Sequence, residues 1–67
     1  MKILKQKGNY TLIEMKTKYV VAYKYNPITE EWEHGHYFDF DNDITQEGAY
    51  YDALEFFNLN TEIADLY

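Results

Sequence analysis

Between residues 31 and 43 the chain alternates with a period of two. The odd positions are Glu31, Glu33, Gly35, Tyr37, Asp39, Asp41 and Asp43; the even ones are Trp32, His34, His36, Phe38, Phe40 and Asn42. Successive side chains of a strand point to opposite faces. The pattern therefore predicts a half-buried strand over residues 32–40, with Trp32, Phe38 and Phe40 facing a core. The carboxylates then line the opposite face or the loop beyond it.

A second strand is predicted at Tyr19-Val20-Val21-Ala22-Tyr23-Lys24-Tyr25, which is β-branched or aromatic almost throughout. Asn26-Pro27 stops it, because proline donates nothing to a ladder and Asn-Pro favours a turn. Upstream, Thr11-Ile13-Met15 alternates with Leu12-Glu14-Lys16. Turn signals at Lys7-Gly8-Asn9-Tyr10 and Thr17-Lys18 bracket that segment. Beyond residue 43 the period changes. At ~100° per residue Ala49, Tyr50, Ala53, Leu54, Phe56 and Phe57 share one arc of a helix, and Glu47, Gly48, Tyr51, Asp52, Glu55 and Asn58 share the other. Asp43 or Thr45 can cap this helix, with Glu47 facing its positive end. Asn58-Leu59-Asn60 is expected to end it, leaving one short turn over Thr61 to Leu66. The expected fold is α+β: a three- or four-stranded antiparallel meander with one C-terminal amphipathic helix packed on one face. Phe38, Phe40, Ala53, Phe56 and Val21 or Tyr23 should be buried together where the helix crosses the sheet.

Composition adds scale. The 67 residues make one small domain, 1–67, with a thin core. There is no cysteine, so neither disulfides nor thiolate zinc sites support it. An aromatic content of 19% is the compensating feature, since large rings bury the most area per residue. The apolar run near the N-terminus is only Ile3-Leu4, far short of a signal segment, and no stretch reaches membrane-spanning length. A cytoplasmic protein without membrane association is expected.

Charge is sorted along the chain. All six lysines lie within residues 1–25 beside a single acid, Glu14; the other eleven acids follow, with no basic side chain among them. The net charge is −6, and arginine is absent, which weakens any case for bidentate phosphate recognition. A Lys/Tyr-rich sheet over segment 10–25 is the alternative, as a stacking platform for single-stranded nucleic acid. The total charge makes nucleic acid the less favoured partner.

Other chemistry is thinly represented. His34 and His36 share one strand face and are weak candidates for metal ligation; the expectation is that they are structural and that no metal or cofactor is bound. Asp39-Phe-Asp41-Asn-Asp43 begins like a calcium loop. Ile44 stands where the turn glycine belongs, however, and Tyr50 where the bidentate glutamate belongs. No serine exists, the threonines lack a supporting base, and so no enzyme is expected.

What remains is a row of carboxylates interleaved with tyrosines: Glu31, Glu33, Tyr37, Asp39, Asp41 and Asp43 on the strand and its exit, then Glu47, Tyr51 and Glu55 on the helix. Alternate strand positions are ~7 Å apart, a spacing that can present phosphate-like charge. Tyrosines among acids suit an interface, because they offer large area at small entropic cost. These residues point to a non-catalytic protein-binding module that engages a basic surface of a partner. In size, acidity, lack of cysteine and absence of a catalytic motif, the chain resembles the small phage-encoded inhibitors, including anti-CRISPR proteins and other DNA mimics. That resemblance implies an inhibitor of a host nucleic-acid-binding protein. A homodimer through an exposed edge strand is a further expectation.

Overall fold

The computed structural model describes residues 1–40 and 45–66, with side chains placed as far as Glu62. Four strands, β1 (Lys2–Lys7), β2 (Tyr10–Glu14), β3 (Lys18–Tyr23) and β4 (His34–Asp39), precede one helix, α1 (Gln46–Leu66). The strands form one antiparallel sheet in the order β1-β2-β3-β4, and α1 packs across β2, β3 and β4. The fold is the α+β meander that the two periodicities predict, with all four strands formed.

The turns follow from local chemistry. Gly8 takes φ +60° at the first central position of the β1–β2 hairpin, where Lys7 pairs with Tyr10. Glycine occupies that region without steric cost. The β2–β3 turn falls on Lys16-Thr17, one residue earlier than the sequence suggests, because the Met15 N–H donates to the Lys18 carbonyl (2.8 Å) and Lys18 already belongs to β3. A bulge after Ile3 leaves Leu4 as the extra residue, so that Ile3 faces Ile13 while Lys5 faces Leu12. The helix begins at a threonine cap: Thr45 Oγ1 accepts from the Gly48 N–H (3.1 Å) and the Thr45 carbonyl from the Ala49 N–H (2.9 Å). The alternative cap, Asp43, lies outside the described residues.

Hydrophobic residues fill both faces of the sheet. On the helix side, Leu12, Tyr19 and Val21 meet Ala49, Ala53 and Phe57; Phe38, Phe40 and Phe56 pack around them and are half-buried. The two alanines let the helix backbone lie close to β3. Phe57, rather than Phe38 or Phe40, is the phenylalanine at the centre. The expected core is thus corrected: Ala53 and Val21 are buried, and the three other phenylalanines form its rim. On the far side, Ile13, Val20 and Ala22 are also fully buried, covered by Met15, Tyr25 and Trp32.

Two boundaries differ from the sequence reading. Among the described residues β4 runs from His34 to Asp39, shorter than the expected 32–40; Phe40 keeps its place on the helix side, whereas Trp32 lies before β4, against the far-side cluster instead of with Phe38 and Phe40. The helix continues unbroken through Asn58-Leu59-Asn60 to Leu66. Its polar side chains bond back to the preceding turn: Asn60 Nδ2 donates to the Phe56 carbonyl and Thr61 Oγ1 to the Phe57 carbonyl, each at 2.8 Å. Thr61 is buried because it continues the stripe Ala49, Ala53, Phe57 at a spacing of four.

Candidate functional site

The connection from β3 to β4 builds the far-side surface. Two of its residues, Lys24 (φ 56°) and Glu30 (φ 59°), take left-handed backbone conformations that side-chain-bearing residues rarely adopt. Between them Asn26 closes a small loop: its N–H donates to the Glu31 carbonyl, its carbonyl accepts from the Glu30 N–H (2.8 Å each), and its Oδ1 accepts from the Ile28 N–H at 2.9 Å. This is the turn that Asn-Pro favours. It carries Ile28 to the tip, 90% exposed.

The chain then returns and lays Trp32 on the sheet. Its indole N–H donates to the Tyr37 hydroxyl (3.1 Å), with the two ring centroids 6.4 Å apart and the planes 52° from parallel. Gly35 makes room for it. A Cβ built there would stand 2.6 Å from the indole nitrogen and 3.0 Å from Tyr37 Cζ. Glu30, Glu31, Trp32 and Tyr37 together line an open hollow of about 410 Å³. Beside it, the Lys18 ammonium stands 5.3 Å from the centroid of the Tyr37 ring.

The predicted acidic row is divided by this architecture. Glu31, Tyr37 and Asp39 gather on the far side, around the loop and β4. Glu33 sits at the bend before β4, its carboxylate 3.7 Å from both the Lys24 ammonium and His34 Nε2. Glu47, Tyr51 and Glu55 are exposed on α1, which covers the other face of the sheet. Among the described residues, the β4 and α1 members therefore lie on opposite sides of the sheet, since α1 packs against the side of β4 opposite to Tyr37. Asp41 and Asp43 lie outside the described residues. Glu30 and Trp32 were missed as site residues; the strand period assigned Trp32 to the core beside Phe38, and Glu30 stood outside the alternating run.

Charge sorted along the chain becomes charge sorted across the sheet. Lys2, Lys5 and Lys7 lie on edge strand β1, and the acids Glu31, Glu33 and Asp39 lie on or beside the opposite edge, β4. The sorting is incomplete, because Lys18 pairs in register with Asp39 and Lys24 approaches Glu33.

The histidines occupy the helix side. His36 stacks on Phe56 (centroids 4.2 Å, planes 20° apart) and His34 on Tyr23 (6.1 Å, 21°). With Tyr10, Val21, Gly35 and Asn60 they border a groove of about 320 Å³. Among the described residues, no three His, Asp or Glu side chains converge as metal ligands. The tyrosines of the Lys/Tyr-rich segment do not form one platform either. Tyr19 is buried, Tyr10 is packed against the helix-side cluster, Tyr23 stacks with His34 beside that groove, and Tyr25 covers the far side.

At the start of α1, Gln46 Nε2 lies 3.3 Å from both the Tyr19 hydroxyl and Glu14 Oε1, and the hydroxyl donates to that carboxylate at 3.2 Å. Burial raises the Tyr19 pKa above its ordinary 10.0; the Glu14 charge acts in the same direction and the Gln46 hydrogen bond opposes it. Among the described residues, no helix is long and apolar enough to cross a membrane. No family model, curated protein or solved structure matches the chain.

Proposed function

We propose that this chain is a non-catalytic protein-binding module whose β4 edge engages a basic surface of a macromolecular partner, in the manner of the small acidic inhibitors it resembles in composition. The observation that carries this reading is the hollow of Glu30, Glu31, Trp32 and Tyr37. It combines carboxylates with two fixed rings at one edge of the sheet, where Asp39 and Glu33 add negative charge. Tyr37 is 48% exposed although it is pinned by Trp32, so its area is available without further ordering. Partners that carry nucleic-acid-binding surfaces present the complementary charge.

The test is capture of partners from a host lysate, followed by kinetics on the captured protein. Asp39→Asn with Glu31→Gln should slow association and flatten its salt dependence while leaving the melting temperature unchanged. Replacing Lys2 and Lys5 on the opposite edge should leave association nearly unaffected. If the lysine variants are the sensitive ones, or if a bound single strand is what they release, the acidic-edge reading fails.

A further inference from the structure

We infer that the hollow between the β3–β4 loop and β4 is a receptor for an arginine side chain of the partner protein. This rests on the protein-binding reading above and specifies its chemistry. The lining is one wall of indole and phenol with two exposed carboxylates at its rim, Glu30 and Glu31. An ammonium or guanidinium is attracted to the face of such rings, tryptophan most strongly.

The structure already contains one instance of that attraction, with Lys18 over the Tyr37 ring. Lys18 stands over Tyr37 and is not among the residues that line the hollow, which are Glu30, Glu31, Trp32 and Tyr37. A guanidinium suits it better than an ammonium. It is planar, so it can stack on the indole. It is weakly hydrated, and its fork can reach a carboxylate with two parallel hydrogen bonds. The chain has no arginine of its own to fill the place. The receptor is also preformed: the indole is tied to the Tyr37 hydroxyl and seated on a position that carries no Cβ. Glu30 is held in a left-handed conformation beside it, a kind of strain that accumulates at binding sites.

Trp32 is the single tryptophan, so its indole N–H resonance and its emission report on this hollow alone. The full chain is titrated with acetyl-Gly-Arg-Gly-amide, with the matching lysine peptide and with the neutral citrulline peptide. The arginine peptide should shift the indole resonance saturably, the lysine peptide should bind at least roughly two- to fivefold more weakly, and citrulline should have no effect. Glu30→Gln with Glu31→Gln should weaken the arginine peptide by roughly two- to fivefold at an unchanged melting temperature. An unmoved resonance, or equal responses to arginine and citrulline, overturns the arginine receptor even if the acidic edge still governs partner capture. A saturable, carboxylate-dependent arginine response stands by itself even if capture proves insensitive to Glu31 and Asp39, in which case the broader module reading is the one that fails.

Discussion

Gly35→Ala tests the far side of the sheet in one atom. Only Gly8 has a positive φ among the described glycines, so the Gly35 backbone accepts alanine. On backbone grounds alone the change should stabilise by about 0.4–1 kcal/mol, through a less disordered unfolded chain. The new Cβ, however, falls 2.6 Å from Trp32 Nε1 and 3.0 Å from both Cζ and the hydroxyl oxygen of Tyr37. Trp32 is half-buried, so the indole yields before the sheet does. Lifting it forfeits its hydrogen bond, about 0.5–1.5 kcal/mol, and uncovers Val20 and Ala22. Overpacking of this kind costs about 1–3 kcal/mol. The net expectation is a loss of about 1–2 kcal/mol, which lowers the melting temperature by roughly 5–15 °C in a domain of this size. Circular dichroism melts measure it, and a red-shifted Trp32 emission shows where the strain went. In a Trp32→Ala background the 2.6 Å contact is gone and only the 3.0 Å contacts with Tyr37 remain, so the same substitution should cost clearly less than in the parent. If Gly35→Ala melts at or above the parent with unmoved emission, Trp32 does not lie on Gly35 and the hollow is not built as described.

Four further measurements bear on the core and the ionisable groups. Phe57→Ala should cost about 3–5 kcal/mol and exceed Phe38→Ala, because Phe57 is 3% exposed at the centre while Phe38 is half-buried at the rim; equal losses would contradict that packing. Ile13→Ala should cost about 2–5 kcal/mol although it faces away from the helix, and a loss within surface-mutation range would mean that this face is open to water. Tyr19 keeps its proton more tightly in the folded state, so the associated stability is complete below pH 10.0 and is lost as pH rises through the higher folded value; alkaline melts should therefore fall less steeply for Tyr19→Phe. Zinc should leave the melting curve in place, since a native-state ligand must raise it by mass action, and a rise abolished by His34→Ala or His36→Ala would reverse the metal-free reading.

Period and turn chemistry made most of the architecture legible. The run from Tyr19 to Tyr23 and the clean helical arc of 49–57 are local signals that tertiary packing reinforces. Asn58-Leu59-Asn60 misled because asparagine often ends helices, whereas here Asn60 bonds back to Phe56 and the stripe ending at Thr61 holds the next turn down. The buried far side had a signal as well. A strand buried on both faces reads as a continuous apolar run, and Val20-Val21-Ala22 is one. What no periodicity contained was the covering element, because Trp32 reaches Val20 and Ala22 through a loop whose course depends on Asn26, Glu30 and Gly35 together. The described members of the acidic row fall on two sides for a related reason: strand and helix positions that share a sequence pattern are separated by the sheet once the helix chooses a side.

The loop that closes the far-side core also forms the hollow, and this overlap ranks the residues by what their removal can reveal. Trp32 and Gly35 serve stability and shape at once, so a binding defect at either is ambiguous unless melting is measured beside it. Glu30 and Glu31 are exposed and outside both hydrophobic clusters, so their charge can be removed with only screened surface electrostatics at stake. Tyr37 lies between these cases, since its hydroxyl accepts the indole N–H while its ring stays half exposed. Tyr37→Phe keeps the ring and deletes the acceptor. It should weaken the arginine peptide modestly, through loss of the tie that preforms the receptor, while ring faces and carboxylates keep the response saturable. If instead affinity collapses while the fold melts normally, the orientation of Trp32 is the determining feature, and the hydrogen bond that sets it is part of the receptor.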